Sequence, residues 1–196
     1  QLLNQYVPVI TYEIQQKEKS RFLSSSVGLT PSAPAKDKFG LSLRLPKEFS
    51  LALDTNNFVW YQYSPKDLEL IKGVFAYSFA LDGSLSSKAI LSARDSLLKQ
   101  FVQGQVDGSY MTTEYLYTPF VSTFENEGTT TFNTKGLWKM ENAFMGGPSI
   151  TNFVVDSLQN VVFVTDAFLF NPGKNKRNDL QILEIILESS KKKSSD

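Results

Sequence analysis

Arg94 is the residue of this 196-residue chain whose position most demands a chemical partner. At 100° per residue, Ile90, Ala93, Leu97, Leu98 and Phe101 surround it on one helical face. An isolated guanidinium among apolar groups is too costly to persist, so it must meet a carboxylate, carbonyls, water or a bound anion. Glu114, Glu141, Asp156 and Asp166 lie on or near predicted strands and are the ion-pair candidates. Asp166 falls inside the apolar run Val161–Phe170, where an inward acid has a perturbed pKa. Catalytic acids and arginine partners share that property, and partnership with Arg94 is the simpler account. The functional counterpart is an anion pocket under the helix.

Two further segments are candidate binding elements. Gly146-Gly147-Pro148 permits close backbone approach, and successive N–H groups there can form an anion nest. The structural alternative is a bend or bulge between strands. No Gly-Lys-Ser/Thr follows, so it is not a phosphate loop. Lys174-Asn-Lys176-Arg177 puts positive charge at the start of the last predicted helix, the pole where cations are disfavoured. Lys176 and Arg177 there suit an anion or an acidic surface, or belong to a solvated loop. The aromatics Phe58, Trp60, Tyr61 and Tyr63 read as core and sheet residues, with a sugar-stacking platform as the alternative.

Composition narrows the chemistry without selecting an activity. With no Cys and no His, the chain lacks thiolate nucleophiles, disulfides, Cys-based metal sites and the commonest general base. Gly108-Ser-Tyr-Met111 places a hydroxyl beside a flexible glycine, but no base pairs with it, and no Ser-x-x-Lys carries further catalytic signatures. Paired carboxylates remain the acid/base option. No oxygen-ligand metal spacing and no EF-hand loop occurs, so neither metal nor cofactor is implied. Twenty Lys plus Arg balance twenty Asp plus Glu, which gives no field that steers toward nucleic acid. The chain opens at Gln1, as a processed product or a part of a longer protein does. No apolar run approaches the ~20 residues that span a bilayer.

These residues need elements to position them. The pattern predicts a helix over 2–23, firm only after Pro8, with Leu3, Tyr6, Val7, Ile10 and Ile14 on its apolar face. Residues 28–38 read as a linker-like loop. Strands are expected at 41–45, 50–53, 58–63, 73–81, 110–124 (broken at Pro119), 129–141, 150–155 and 161–170. Turns are expected at Asp82-Gly83, Gly128 and 156–160. A helix capped by Ser84 or Ser86 runs to about Val102, and another occupies about 176–190. The fold class is therefore α+β: a largely antiparallel sheet of about six to eight strands, with two or three helices packed on one face. Organisation is a helix over 1–27, a loop over 28–38, a main α+β region over 39–190 and a frayed tail over 191–196, all one structural domain. The order of Trp-bearing strand, further strands and helix recurs at 58–102 and 135–190, a possible internal duplication.

An ordered set of motifs runs through the chain: Leu45-Pro46, Asn57-Phe-Val-Trp60, Gly73-Val-Phe-Ala-Tyr77, Arg94-Asp95-Ser96, Gly108-Ser-Tyr-Met111, Gly136-Leu-Trp138, Phe144-Met-Gly-Gly-Pro148 and Lys176-Arg177. Over about residues 9 to 190 it resembles an uncharacterised family of envelope lipoproteins from Bacteroidetes-type bacteria, classed as a domain of unknown function. The resemblance implies a longer protein with a lipid-modified Cys outside this chain, of which the chain is the C-terminal portion. It also implies a periplasm-facing location in the cell envelope. Ser149 and Asn178 depart from the pattern at the turn and the basic cluster. The family brings no catalytic residues.

The expected function is a non-enzymatic envelope domain, a binding or assembly module whose partner is an envelope protein or a small ligand. One alternative is a carboxylate-dependent hydrolase of envelope glycans. The other is a small-anion or anionic-lipid binder built on Arg94, Lys176 and Arg177.

Overall fold

The computed structural model describes residues 2–24, 30–81, 86–126 and 129–192. In chain order the elements are α1 (Leu2–Ser24), β1 (Thr30–Pro31), α2 (Ala33–Phe39), β2 (Leu41–Ser42), β3 (Arg44–Leu45), β4 (Ser50–Asp54), β5 (Phe58–Tyr63) and β6 (Ile71–Ala80). There follow α3 (Ser87–Phe101), β7 (Tyr110–Thr113), β8 (Phe120–Asn126), β9 (Thr129–Glu141), β10 (Gly146–Asp156), β11 (Val161–Phe170), α4 (Arg177–Glu188) and β12 (Lys191–Lys192). The expected turns at Asp82-Gly83 and Gly128, and the alternative cap Ser84, lie outside the described residues. Ser86 caps α3, its Oγ accepting the Ala89 N–H at 3.2 Å.

An eight-stranded antiparallel sheet is ordered β4-β5-β6-β11-β10-β9-β7, with β8 also paired to β9. The chain is thus α+β with a largely antiparallel sheet, as its patterning predicts. The helices, however, divide between both faces. On one face Phe58, Phe75, Tyr77, Phe153, Val164 and Phe168 pack with Ile90, Leu91 and Leu98 of α3. On the other, Val59, Val74, Ala76, Ala167 and Leu169 meet Ala35 and Phe39 of α2 and Leu183, Ile186 and Leu187 of α4. The reason lies in the central strands. Successive residues point to opposite faces, and neighbours such as Phe58 and Val59, or Phe75 and Ala76, are all apolar. Each large apolar side chain gains roughly 1.5–3 kcal/mol on burial, so a single helical layer would leave half of that surface wet.

This division also bears on the repeated element order. A twofold axis relating neighbouring antiparallel strands β6 and β11 stands normal to the sheet and keeps each face on its own side. It would put α3 and α4 on the same face, whereas they lie on opposite ones. The repeat in order is not a rotational repeat in space.

Three local expectations change. Residues 33–39 are helix, not loop: Pro34 sits in the first turn, where its missing N–H is harmless, and Gly40 closes the helix at φ 67°. Ala35 and Phe39 are buried, so this short helix belongs to the core. Helix α1 runs continuously through Pro8, and its stripe of Tyr6, Val7, Ile10 and Ile14 is 48–55% exposed instead of packed. Its last turns reach α4 through Lys19 and Glu188, 2.5 Å apart, and a Gln181–Glu18 hydrogen bond. Finally, Lys191 and Lys192 pair with β2 as β12, where fraying was expected. Among the described residues, no helix is long and apolar enough to cross a membrane.

Candidate functional site

Helix α3 lies over the sheet with Arg94 pointing inward, and strand β11 presents Asp166 to it. On β11, Asp166 follows Val162 and Val164 on the face that meets α3, with Thr151 of β10 directly beside it; on α3, Arg94 shares the buried side with Ile90, Leu91 and Leu98. Arg94 is 2% exposed and Asp166 0%. Arg94 Nε donates to Asp166 Oδ2 at 2.7 Å and Nη2 to Oδ1 at 3.3 Å. This two-point fork is the geometry that planar guanidinium and carboxylate groups favour. Thr151 Oγ1 donates to Asp166 Oδ1 at 3.0 Å, and the Tyr77 hydroxyl to Oδ2 at 3.3 Å.

The remaining guanidinium nitrogen extends the network outward. Arg94 Nη1 donates to Thr113 Oγ1 at 3.0 Å and to Asp95 Oδ1 at 3.3 Å. Asp95 Oδ1 also accepts from Thr113 Oγ1 at 2.7 Å and from the Thr113 N–H at 3.0 Å. Asp95 Oδ2 accepts from the Tyr115 hydroxyl at 2.8 Å. A chain of polar contacts therefore leads from the fully buried Asp166 to the half-exposed Tyr115.

The electrostatics follow from depth. Burial pushes the Asp166 carboxyl up, while the Arg94 charge and the Arg94, Thr151 and Tyr77 hydrogen bonds oppose that shift. Burial works against the charge on Arg94, and Asp166 outweighs it, so the guanidinium is held above its ordinary value. Tyr77 is raised well above its ordinary value by burial and by the neighbouring Asp166. Tyr115 is pushed up to about 12 by burial and by its bond to Asp95.

At its surface end the network opens into a cleft of about 590 Å³ between α3, β7 and β8, where Lys88, Ser92, Asp95, Lys99, Tyr110 and Tyr115 line it. The Lys99 ammonium sits 4.6 Å from the Tyr110 ring centroid.

The other candidates lie elsewhere. Glu114 and Glu141 both face Lys139, at 4.0 and 3.1 Å. Asp156 accepts the N–H groups of Leu158 and Gln159 in the turn before β11. Gly146 and Gly147 are not a nest: they pair in register with Lys139 and Trp138. A Cβ on Gly147 would lie 2.1 Å from the Leu169 carbonyl oxygen, the atom that accepts the Trp138 indole N–H at 3.2 Å. Lys176 and Arg177 begin α4, on the sheet face opposite Arg94, so these three cannot share one anion. The positive charge there is offset by Asp179 in the first turn, which pairs with Lys72 at 2.7 Å. Ser109 is buried with its Oγ donating to the Val106 carbonyl, a turn bond. Phe58 and Tyr61 are core residues, Trp60 packs edge-on against Phe75, and Tyr63 packs beside Phe49 with the Lys72 ammonium over its ring.

Sequence reasoning missed Asp95 and Tyr115. Asp95 carried one signal, its place beside Arg94 at the edge of the apolar helix face. Tyr115 carried none, because the loop after β7 sets its reach. Among the described residues, no group of three or more acids is placed to hold a metal ion.

A sheet covered by helices on both faces, with one buried arginine–carboxylate pair, describes a structural class but no activity. Residues 30–189 match the family model DUF4837, a domain of unknown function, and the chain belongs to that family. The match takes in everything from β1 to the end of α4 and leaves out α1. No curated protein matches the chain.

Proposed function

We propose that this chain is a non-enzymatic cell-envelope domain, a binding or assembly module of a lipid-anchored protein. The Arg94–Asp166 pair carries the first half of the reading. Asp166 is the only buried acid among the described residues, and its carboxylate is engaged by Arg94. Paired-acid hydrolysis needs two carboxyls facing one cleft, and Asp166 faces a guanidinium instead. The cleft at Asp95 and Tyr115 supports the binding half. The envelope location and the lipid anchor rest on the motif resemblance, which the family match supports only as far as a domain of unknown function.

The test uses the purified chain against a panel of envelope glycans and lipids. Binding without turnover is expected. Turnover abolished by Asp95→Asn, in a variant that keeps its fold, overturns the reading. Fractionation and palmitate labelling of the native protein in its own cells tests the location: label in the soluble fraction, or none at all, removes the anchor.

A further inference from the structure

We infer that the cleft between α3 and β7–β8 takes an acidic oligosaccharide in which anionic sugars flank a neutral one. The inference rests on the reading of the chain as a binding module and names the ligand class of that site. Lys88, Ser92, Asp95 and Lys99 all line the cleft and follow one another at helical spacing on α3. From Lys88 to Lys99 the helix rises about 16 Å, so cations mark the two ends of an elongated site and a carboxylate its middle. Anions at the ends of a ligand meet the lysines, and a neutral hydroxylated unit meets Asp95.

Asp95 is built for such a contact. Arg94 and Thr113 supply three donors to Oδ1, which fixes the plane of the carboxylate. Oδ2 accepts from the Tyr115 hydroxyl, itself a lining residue of the cleft, and a carboxylate oxygen has room for a second donor such as a ligand hydroxyl. Hydroxyls of Ser87, Thr112 and Thr118 and the rings of Tyr110 and Tyr115 complete the lining. Hydroxyl groups with a held carboxylate and exposed aromatic edges suit sugars, whose surfaces alternate O–H and C–H groups. Asp166 anchors the Arg94 guanidinium from below, and Arg94 Nη1 in turn reaches Asp95 Oδ1, so the buried pair fixes how Asp95 is held at the cleft.

The experiment titrates the full chain with a hyaluronan tetrasaccharide, chitotetraose, tetragalacturonate and polyglutamate, by calorimetry at low and high salt. The expected order is hyaluronan fragment first, tetragalacturonate weaker because a carboxylate meets Asp95, and chitotetraose at least tenfold weaker. Lys88→Ala and Lys99→Ala, on the helix exterior, each weaken the hyaluronan fragment several-fold, and added salt reduces that difference. Tyr115→Phe, which leaves the buried pair intact, also weakens it. Chitotetraose or polyglutamate binding as tightly as the hyaluronan fragment overturns the inference, as does insensitivity to both lysine variants. If no sugar binds but anionic vesicles do, in a Lys99-dependent manner, the sugar class falls and the binding module stands. If none of the probes or vesicles binds, both fall.

Discussion

Arg94 and Asp166, 72 positions apart in sequence, meet with Nε and Oδ2 at 2.7 Å beneath helix α3. The pair ties α3 to the central strand β11. Desolvating both charges cancels much of their attraction, so the intact pair is a weak net stabiliser, whereas removing one partner leaves a buried charge. Asp166→Asn or Arg94→Met alone should therefore lower stability by about 3–5 kcal/mol in urea denaturation. The double variant Arg94→Met with Asp166→Leu should recover most of that loss. A double variant no more stable than the worse single one rejects this account.

Tyr115 offers a pH signature. Its hydroxyl is raised from 10.0 to about 12, chiefly by burial and then by Asp95. A group held above its unfolded value stabilises the fold fully below that value and ceases to do so as pH rises through the folded value. The Tyr115 contribution should thus be intact below pH 10 and fade toward pH 12. Phenolate absorbance should show several late tyrosines, Tyr77 and Tyr61 among them, and Tyr115→Phe should remove one of that group. Asp95→Asn should bring the Tyr115 titration earlier, part of the way back to the ordinary value.

Asp166 has the same sign despite being an acid. Burial raises its carboxyl, so its linkage favours the folded state at low pH and is lost as pH rises through the folded value. Acid unfolding should not begin at this pair. Carboxyl-carbon NMR of Asp166 should show protonation at a higher pH than in the urea-unfolded chain. Protonation at a lower pH would contradict the dominance of burial.

Gly147 is a backbone constraint. A methyl there would lie 2.1 Å from the Leu169 carbonyl oxygen, so β10 and β11 must part or the Trp138 indole must release that oxygen. Overpacking of this kind costs about 1–3 kcal/mol or more. Gly147→Ala should lower the thermal midpoint and shift Trp fluorescence to the red. An unchanged spectrum at full stability would show that the strands yield.

Helix α1 makes a contrasting prediction. Its described ties to the body include the exposed Lys19–Glu188 pair and the Glu18–Gln181 bond. Exposed pairs contribute about 0–1 kcal/mol. Removing residues 1–24 should leave the denaturation midpoint nearly unchanged. It should also reduce self-association, since Tyr6, Val7, Ile10 and Ile14 are exposed. A large loss of stability would show that α1 packs on the body through its apolar stripe.

Local physics made much of the architecture legible. Strand-forming runs bounded by turn residues marked β5, β9 and β11 to the residue, and apolar spacing with a serine cap marked α3. Helix α2 was missed because Pro, Ala and Lys in a short segment read as loop, although Pro34 near its start and Gly40 after its end are helix-boundary signals. The apolar stripe of α1 was legible too, but periodicity reports which side is apolar, not whether anything covers it.

By itself the sequence determined the chemical limits: no imidazole, no thiol, and an arginine on an apolar helix face that had to find a counter-charge. Only the tertiary structure decided that the counter-charge is Asp166 and not Glu114, Glu141 or Asp156, that helices cover both sheet faces, and that Asp95 and Tyr115 carry the network to a cleft. Burial cost is a local property, written into residue type and spacing. Partnership depends on strand order and register, which set distances between residues remote in the chain and which no local pattern encodes.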